Sequence, residues 1–363
     1  MKKNNSITLV QFYWFFVQIQ IAISVLILPY SIYKVAGTDG WISMVLAGIV
    51  TQILIFVIWY LGKRYPSMTF FELLEALLGK YVGKCLSILY ITYFLSLTTI
   101  VLIFFNFLIS VWVLNKTPDI VKIPLFAFGC FYLLHSDLRV IARFLTIVGP
   151  VVLLVPFLAC YAFFDSEPLY LLPVFSSNFL DISQGVLTGS LAMQGFLILS
   201  ILYPYIEGSD KEKLLSATYA NIMVTAIYTF TIIASFVYFS PGQFLILPEP
   251  LLYMVKTISL VVIERIDLIF IAIWSVTVLA TIVGYLYIIS TGMATVFQKS
   301  SSNRLWFDLL SCVIITVFAL IPQNLLTLRN LLAYIDRIGV IFVVVIPILL
   351  LLFAMLFKRR EST

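Results

Sequence analysis

The chain reads as an all-α integral membrane protein of ten transmembrane helices. They divide five plus five in opposite orientations, with the first and sixth discontinuous. Three observations predict this. Of the 363 residues, 62% are hydrophobic and 11% charged, with a mean hydropathy of +1.11, whereas soluble domains carry about 25% charged residues. Apolar runs near the ~20 residues that a helix needs to cross a bilayer recur along the whole chain. The first and sixth of these runs both contain residues that interrupt a helix.

The spans lie near 11–33, 40–61, 84–114, 120–135, 140–164, 183–205, 215–240, 264–297, 305–321 and 334–357. The fourth and ninth are short, and the third and eighth are long enough to tilt. With both termini cytoplasmic, fifteen of the 22 basic residues fall inside and seven outside, the bias that the positive-inside rule requires. Residues 1–363 then form one polytopic domain, with repeat one near 8–164, repeat two near 182–357, and a cytoplasmic tail at 358–363. Met1-Lys2-Lys3 before an apolar run imitates a signal peptide, but the run is longer than an h-region of ~7–15 residues. It is read as an uncleaved first span.

Composition also excludes. The net charge of +5 comes from short basic blocks between apolar runs, so nucleic acid is not expected as a partner. Cys85, Cys130, Cys160 and Cys312 have no paired spacing and His135 is the single histidine, so neither a disulfide nor a metal site is predicted. No cofactor is expected. No Walker-type loop, HExxH or intramembrane paired carboxylate is visible, and an enzyme is not expected. No carboxylate, Lys or Arg falls clearly at mid-membrane, where ionisable groups mark proton relays.

The first span, Gln11 to Tyr33, contains no charged residue, yet Gln11, Gln18, Gln20 and Ser24 lie along it and Pro29 interrupts its ladder. Buried amides cost several kcal/mol unless paired. Ala22, Ile23 and Ser24 therefore mark a candidate break, of the kind from which transporters build substrate sites out of free backbone groups. A Pro-kinked helix with its glutamines bonded to neighbours is the alternative. The sixth span is interrupted by Gly185, Gly189 and Gly195, with Ser190 and Gln194 among them. Matched interruptions in corresponding spans point to a midplane site, although Gly185-x-x-x-Gly189 also suits close helix packing.

Polar stripes add walls to that cavity. Thr92, Ser96, Thr99 and Asn106 recur at helical spacing on the third span, and Trp274, Thr277, Thr281 and Tyr285 on the eighth. Singly, a buried Ser or Thr bonds its own i−4 carbonyl. The ligand-binding set is therefore Ala22, Ile23, Ser24, Ser96, Thr99, Gly189, Ser190, Gln194, Gly195, Thr277 and Thr281, with Gln194 orienting the ligand because its amide both donates and accepts.

Three further segments complete the chain. Thr69 to Leu78 sets Phe70, Leu73, Leu74 and Leu77 on one face, which predicts a cytoplasmic interfacial helix. Pro248 to Val262 is too short for a span and is read as an external re-entrant or interfacial helix. Glu264, Arg265 and Asp267 at the start of the eighth span are read as a structural clasp or partner contact, with Glu264 and Asp267 sharing a face near a helix N-terminus.

These residues carry a resemblance. Leu28-Pro29, Asp39-Gly40-Trp41-Ile42-Ser43, Pro66 before Phe71-Glu72-Leu73, Leu78-Gly79-Lys80, Thr117-Pro118, Gly195 before Pro204-Tyr205, Ile263-Glu264-Arg265-Ile266-Asp267 before Trp274, and Asp336-Arg337-Ile338-Gly339 occur in family order across the chain. The chain resembles the permease-like B subunits of spore germinant receptors, within the amino acid–polyamine–organocation superfamily. The resemblance implies the LeuT-type inverted-repeat fold, a small-nutrient germinant as ligand, and assembly with A and C subunits in the spore inner membrane. Two departures stand out. Phe196-Leu197-Ile198 follow Gly195 where many members have an acidic residue, and Ile21-Ala22-Ile23-Ser24 stand where many have a Gly-rich break. Two functions compete: a sensing subunit for an amino acid, sugar or nucleoside, and an H⁺- or Na⁺-coupled secondary transporter of such solutes. A membrane scaffold without ligand is a third, and leaves the polar stripes unexplained.

Overall fold

The computed structural model describes residues 6–21, 23–258, 265–297, 304–321 and 325–356, with the backbone alone at 325–327, 329 and 330. Ala22 and Glu264, both singled out above, lie outside the described residues. Helix dominates, as a bilayer demands of a backbone that must satisfy its own polar groups. The first span is two helices, α1 (Leu9–Ile21) and α2 (Ser24–Ala36), and α3 (Gly40–Arg64) returns. Next come α4 (Phe70–Leu78), α5 (Lys80–Trp112), α6 (Asp119–Leu134) and α7 (Leu138–Val148), which runs through a 3₁₀ stretch into α8 (Leu154–Ala159). α9 (Phe179–Ala192) breaks into a 3₁₀ turn at Gln194–Leu197, then α10 (Ile198–Leu202). α11 (Asp210–Tyr238), α12 (Pro241–Phe244) and α13 (Pro250–Thr257) follow, then α14 (Ile266–Val296) and α15 (Arg304–Ala319). α16 (Leu325–Val340) passes through a π-helical turn, Ile341–Val345, into α17 (Ile346–Leu356).

Six stretches are long and apolar enough to cross a bilayer, and the pair bent by 51° between Phe179–Ala192 and Gln194–Tyr205 makes up to seven. The chain is thus a multi-pass membrane protein. The expected fourth and ninth spans correspond to α6 and α15, helices of 16 residues each, somewhat short of the ~20 that a crossing needs. Large apolar side chains stay exposed on the rim, among them Ile49, Ile53 and Phe56 of α3 and Leu125 and Phe128 of α6. On a water-soluble protein such a band would be a liability; here it is the lipid-facing surface.

The two broken spans lie antiparallel and are tied at both ends. At one end Ile7 N–H donates to the Tyr205 carbonyl at 2.8 Å, and Glu207 N–H donates to the Ile7 carbonyl at 2.9 Å. At the other, Asp39 accepts the N–H groups of Phe175 (2.7 Å) and Ser177 (2.8 Å), while Ser177 Oγ donates to the Ala36 carbonyl at 2.8 Å. The loop before α9 is therefore bonded over the end of α2. Gly37, at φ +54°, lets the chain turn from α2 toward α3 without a Cβ clash.

α4 forms as its sequence pattern demands. Thr69 caps it: its backbone N–H and hydroxyl both reach Glu72 Oε2, at 2.6 and 2.9 Å, the reciprocal capping box that satisfies orphan donors. Phe70, Leu73, Leu74 and Leu77 are buried and Glu72 is exposed. Gly83 and Gly292 make room for it, since a Cβ at either would lie 2.6 Å from Glu75 Cα or Phe71 Cζ respectively. α13 buries Leu251, Leu252, Met254 and Val255 in eight residues, far too few to cross a bilayer.

Candidate functional site

The breaks in the two spans meet. A Cβ on Gly195 would lie 2.4 Å from the Ile19 carbonyl oxygen, so only glycine lets the two backbones approach this closely. Gln20, in the last turn of α1, donates through Nε2 to the Met193 carbonyl at 3.3 Å, one residue before the 3₁₀ turn. Breaking α1 leaves carbonyls without a helical donor, and hydroxyls from two other helices take them. Thr281 Oγ1 of α14 donates to the Gln18 carbonyl at 2.8 Å, and Tyr228 OH of α11 lies 2.8 Å from the Ile21 carbonyl and 3.1 Å from that of Gln20. Tyr285 OH reaches the Ile19 carbonyl at 3.5 Å.

Beside these breaks lies a cavity of about 110 Å³, lined by Ile23, Ser24, Ile27, Leu28 and Ser31 of the first span and by Thr188, Leu191, Ala192 and Gln194 of the sixth. α5 contributes Leu97, Ile100, Val101 and Phe104, and α16 contributes Leu332 and Asp336. A single water needs about 10–15 Å³ of such space, and drug-sized ligands occupy about 300 Å³ or more. The cavity therefore suits a solute of a few heavy atoms. Gln194, 6% exposed, accepts a hydrogen bond from the Tyr93 hydroxyl through Oε1, which fixes the amide and leaves its NH₂ group as a donor. Tyr93 is itself clamped, its ring stacked on Phe342 at 4.9 Å. Gly339 admits it, because a Cβ there would lie 2.8 Å from the Tyr93 hydroxyl.

The expected site residues divide. Ile23, Ser24 and Gln194 line the cavity. Gly195, Thr277 and Thr281 belong to the packing behind it: Gly195 against Ile19, and Thr281 on the Gln18 carbonyl and on Thr277 O at 3.1 Å. Ser190, 5% exposed, has no partner for its Oγ among the described residues. Gly189 packs α9 on α3, where a Cβ would lie 2.8 Å from that of Ala47, and Gly185 does the same against Ser43 at 2.5 Å. Close packing thus accounts for both glycines. Ser96 and Thr99 do not line this cavity. They face a separate groove between α5, α15 and α16, and bond their own i−4 carbonyls, Thr92 O at 2.9 Å and Leu95 O at 2.8 Å. The stripe's spacing put them on one face, and that face looks away from the breaks.

Sequence reasoning missed four members. Tyr93 and Tyr228 gave no signal as single aromatics in apolar runs. Tyr285 stood in the α14 stripe but was not counted in the site. Asp336 was placed at the mouth of the last span; the apolar stretch covers Leu331–Leu356, so this carboxylate enters the cavity wall. Asp308 of α15 is a second carboxylate that sequence reasoning passed over; it is fully buried and accepts from Ser290 Oγ. At the start of α14, Arg265 donates Nε to Asp267 Oδ1 at 3.0 Å and Nη2 to Oδ2 at 2.8 Å. Asp267 is 1% exposed there.

The chain matches the sequence profile of the family described as spore germination protein over residues 6–328. It belongs to that family. Spore germination protein GerQB of Bacillus cereus is 26% identical over 331 residues, covering 90% of each chain. Spore germination protein YndE of Bacillus subtilis (strain 168) is 26% identical over 362 residues, covering 99% of each. Spore germination protein A2 of the same organism is 24% identical over 348 residues, 93% of this chain and 92% of the relative. Among solved structures, a substrate-bound, outward-open Na⁺-coupled sialic acid symporter superposes with a TM-score of 0.69 at 14% identity, over 94% of this chain and 77% of the symporter. At that identity the likeness speaks for the fold alone, a transporter fold. The spore germination family and this fold are both permease-like, and neither is that of an enzyme.

Proposed function

We propose that this spore germination protein is the nutrient-sensing membrane subunit of a germinant receptor. Of the nutrient classes expected, amino acid, sugar or nucleoside, it takes a member small enough for the cavity between its two helix breaks. The observation that carries the reading is that cavity, with an oriented amide, Gln194, and the opened turn at Ser24 in its wall. In this reading the chain has ten spans in a LeuT-type five-plus-five inverted repeat. It works with A and C subunits in the spore inner membrane, and the Arg265–Asp267 pair serves as a clasp or partner contact.

Coupled transport by H⁺ or Na⁺ is the competing function. Asp336 removes one ground against proton coupling, the lack of an embedded carboxylate. What supports sensing is family membership together with the state of the first break. The α1 carbonyls opened by the break already accept from the hydroxyls of Thr281 and Tyr228, which leaves them less available to a metal cation. Purified protein in liposomes separates the two. Saturable solute binding without accumulation, with or without an H⁺ or Na⁺ gradient, is expected. Gradient-driven accumulation that Ser24→Trp abolishes would establish transport instead.

A further inference from the structure

A second cavity, of about 340 Å³, lies between α5 and α6 with α14 as its floor. It shares no lining residue with the cavity at the two breaks. α6 packs on α14 and α15 more than on α5, which leaves a wedge-shaped gap between the two helices. The walls are mostly apolar, among them Leu102 and Phe105 of α5, Phe126 of α6 and Leu279 of α14. Val121 and Leu125 on the rim are exposed, so the cavity opens toward lipid. Charge gathers at one end. Lys122 Nζ pairs with Asp119 Oδ1 at 2.8 Å and donates to Ser110 Oγ of α5. The Lys122 side chain is 7% exposed and that of Asp119 60%. The lysine is thus folded in over the cavity while the carboxylate faces outward. Trp112, two residues beyond Ser110, meets Tyr253 at 5.1 Å between ring centroids. Tryptophan and tyrosine gather at the headgroup level of a bilayer.

An apolar cavity stays dry, so one that is open to the bilayer takes hydrocarbon. We propose that this cavity binds one phospholipid with a primary-amine headgroup, its acyl chain inserted between α5 and α6. The order of groups along the wall matches such a lipid. Apolar side chains come first, then the Lys122 cation, then the Asp119 carboxylate. That sequence mirrors acyl chain, phosphate and ammonium in a phosphoethanolamine lipid. Lys122 has three N–H donors, and its partners among the described residues, Asp119 and Ser110, leave one for a phosphate oxygen. Asp119, on the outer side, accepts from the amine. A quaternary ammonium has no N–H and forgoes that bond. Size fits as well. Lys122 and Gly129, both in the wall, stand about 10 Å apart along the helix axis. The bound chain fills the gap where α6 leaves α5, and so helps to fix α6 in the bundle.

The test exchanges headgroups on constant acyl chains. Full-length protein in detergent is mixed with equal amounts of phosphatidylethanolamine, phosphatidylglycerol and phosphatidylcholine, and the retained lipids are counted by native mass spectrometry. One phosphatidylethanolamine per chain is expected, with phosphatidylcholine retained about tenfold less. Asp119→Asn should erase that preference, whereas Lys122→Met should lower retention of all three lipids about tenfold. Leu279→Trp, which fills the cavity, should displace the lipid while the protein stays monodisperse. Equal retention of the three headgroups by the wild type, or retention of none, overturns the proposal without needing any variant. A preference for phosphatidylglycerol overturns it too, since Asp119 then has no amine to meet. So does retention unchanged in both Lys122→Met and Leu279→Trp, which would place the lipid in the general annular shell.

Discussion

Gly195 stands against the carbonyl of Ile19 so closely that a Cβ would lie 2.4 Å from its oxygen. The two interrupted spans touch at this point, and everything about the candidate site depends on that approach. The clash would be with backbone, which cannot rotate away as a side chain can. Gly195→Ala is therefore expected to destabilise the protein by about 1–3 kcal/mol, read as a lower melting temperature in detergent. Gly242→Ala is the control, since nothing lies within 4 Å of a Cβ there and its melting temperature should hold.

Two threonines of similar sequence context separate cross-helix bonding from self-bonding. Thr281 Oγ1 donates across the helix interface to the Gln18 carbonyl, so Thr281→Val should cost on the order of 1 kcal/mol or more by leaving a buried acceptor unpaired. Thr99 bonds its own turn through the Leu95 carbonyl, and Thr99→Val should change stability by a few tenths of a kcal/mol at most. Equal losses in thermal unfolding would mean that the first break is not held by α14.

In the proposed ten-span topology fifteen of the 22 basic residues fall inside and seven outside, which sets the expected sidedness. Ser176, in the loop between α8 and α9, and Lys211, at the start of α11, are both exposed. A cysteine at Ser176 should react with an impermeant maleimide added outside intact cells or protoplasts, and one at Lys211 should not. The reverse pattern would invert the topology.

The Arg265–Asp267 pair predicts loss of protein and not loss of recognition. Arg265→Ala leaves Asp267 buried without its guanidinium. Because the Arg265 side chain is half exposed, the cost should fall short of that of breaking a fully buried pair. Protein abundance in the membrane should fall while affinity per molecule stays unchanged. Normal abundance with lost binding would make this a ligand site.

The membrane class, both breaks and the apolar face of α4 were legible in the sequence because each is written in local chemistry. Apolar runs give the spans, Gly195 marks the interruption of the sixth span, and Phe70, Leu73, Leu74 and Leu77 give the buried face of α4. What was not legible is rotation. Ser96 and Thr99 sit on one face of α5 by spacing, but spacing says nothing about which neighbour that face meets, and it meets α15 and α16. Gly185 and Gly189 announced small size, which serves packing on α3 as readily as unwinding. Asp336 escaped because the apolar run was read as starting at its position, when the helix begins at Leu325 and carries the carboxylate inward. The hydroxyls that take the α1 carbonyls come from Tyr228 and Thr281, far apart in sequence, and only the packing of α11 and α14 on α1 brings them together.

The most direct test of the cavity as ligand site is the germinant concentration giving half-maximal germination, measured beside subunit abundance in the membrane. Gln194→Ala removes the amide oriented by Tyr93 and is expected to raise that concentration by about five- to a hundredfold, the equivalent of ~1–3 kcal/mol. Ser24→Trp, which fills the cavity, is expected to abolish the response while the protein still assembles. Wild-type concentrations for both variants at normal abundance would contradict the cavity as the site.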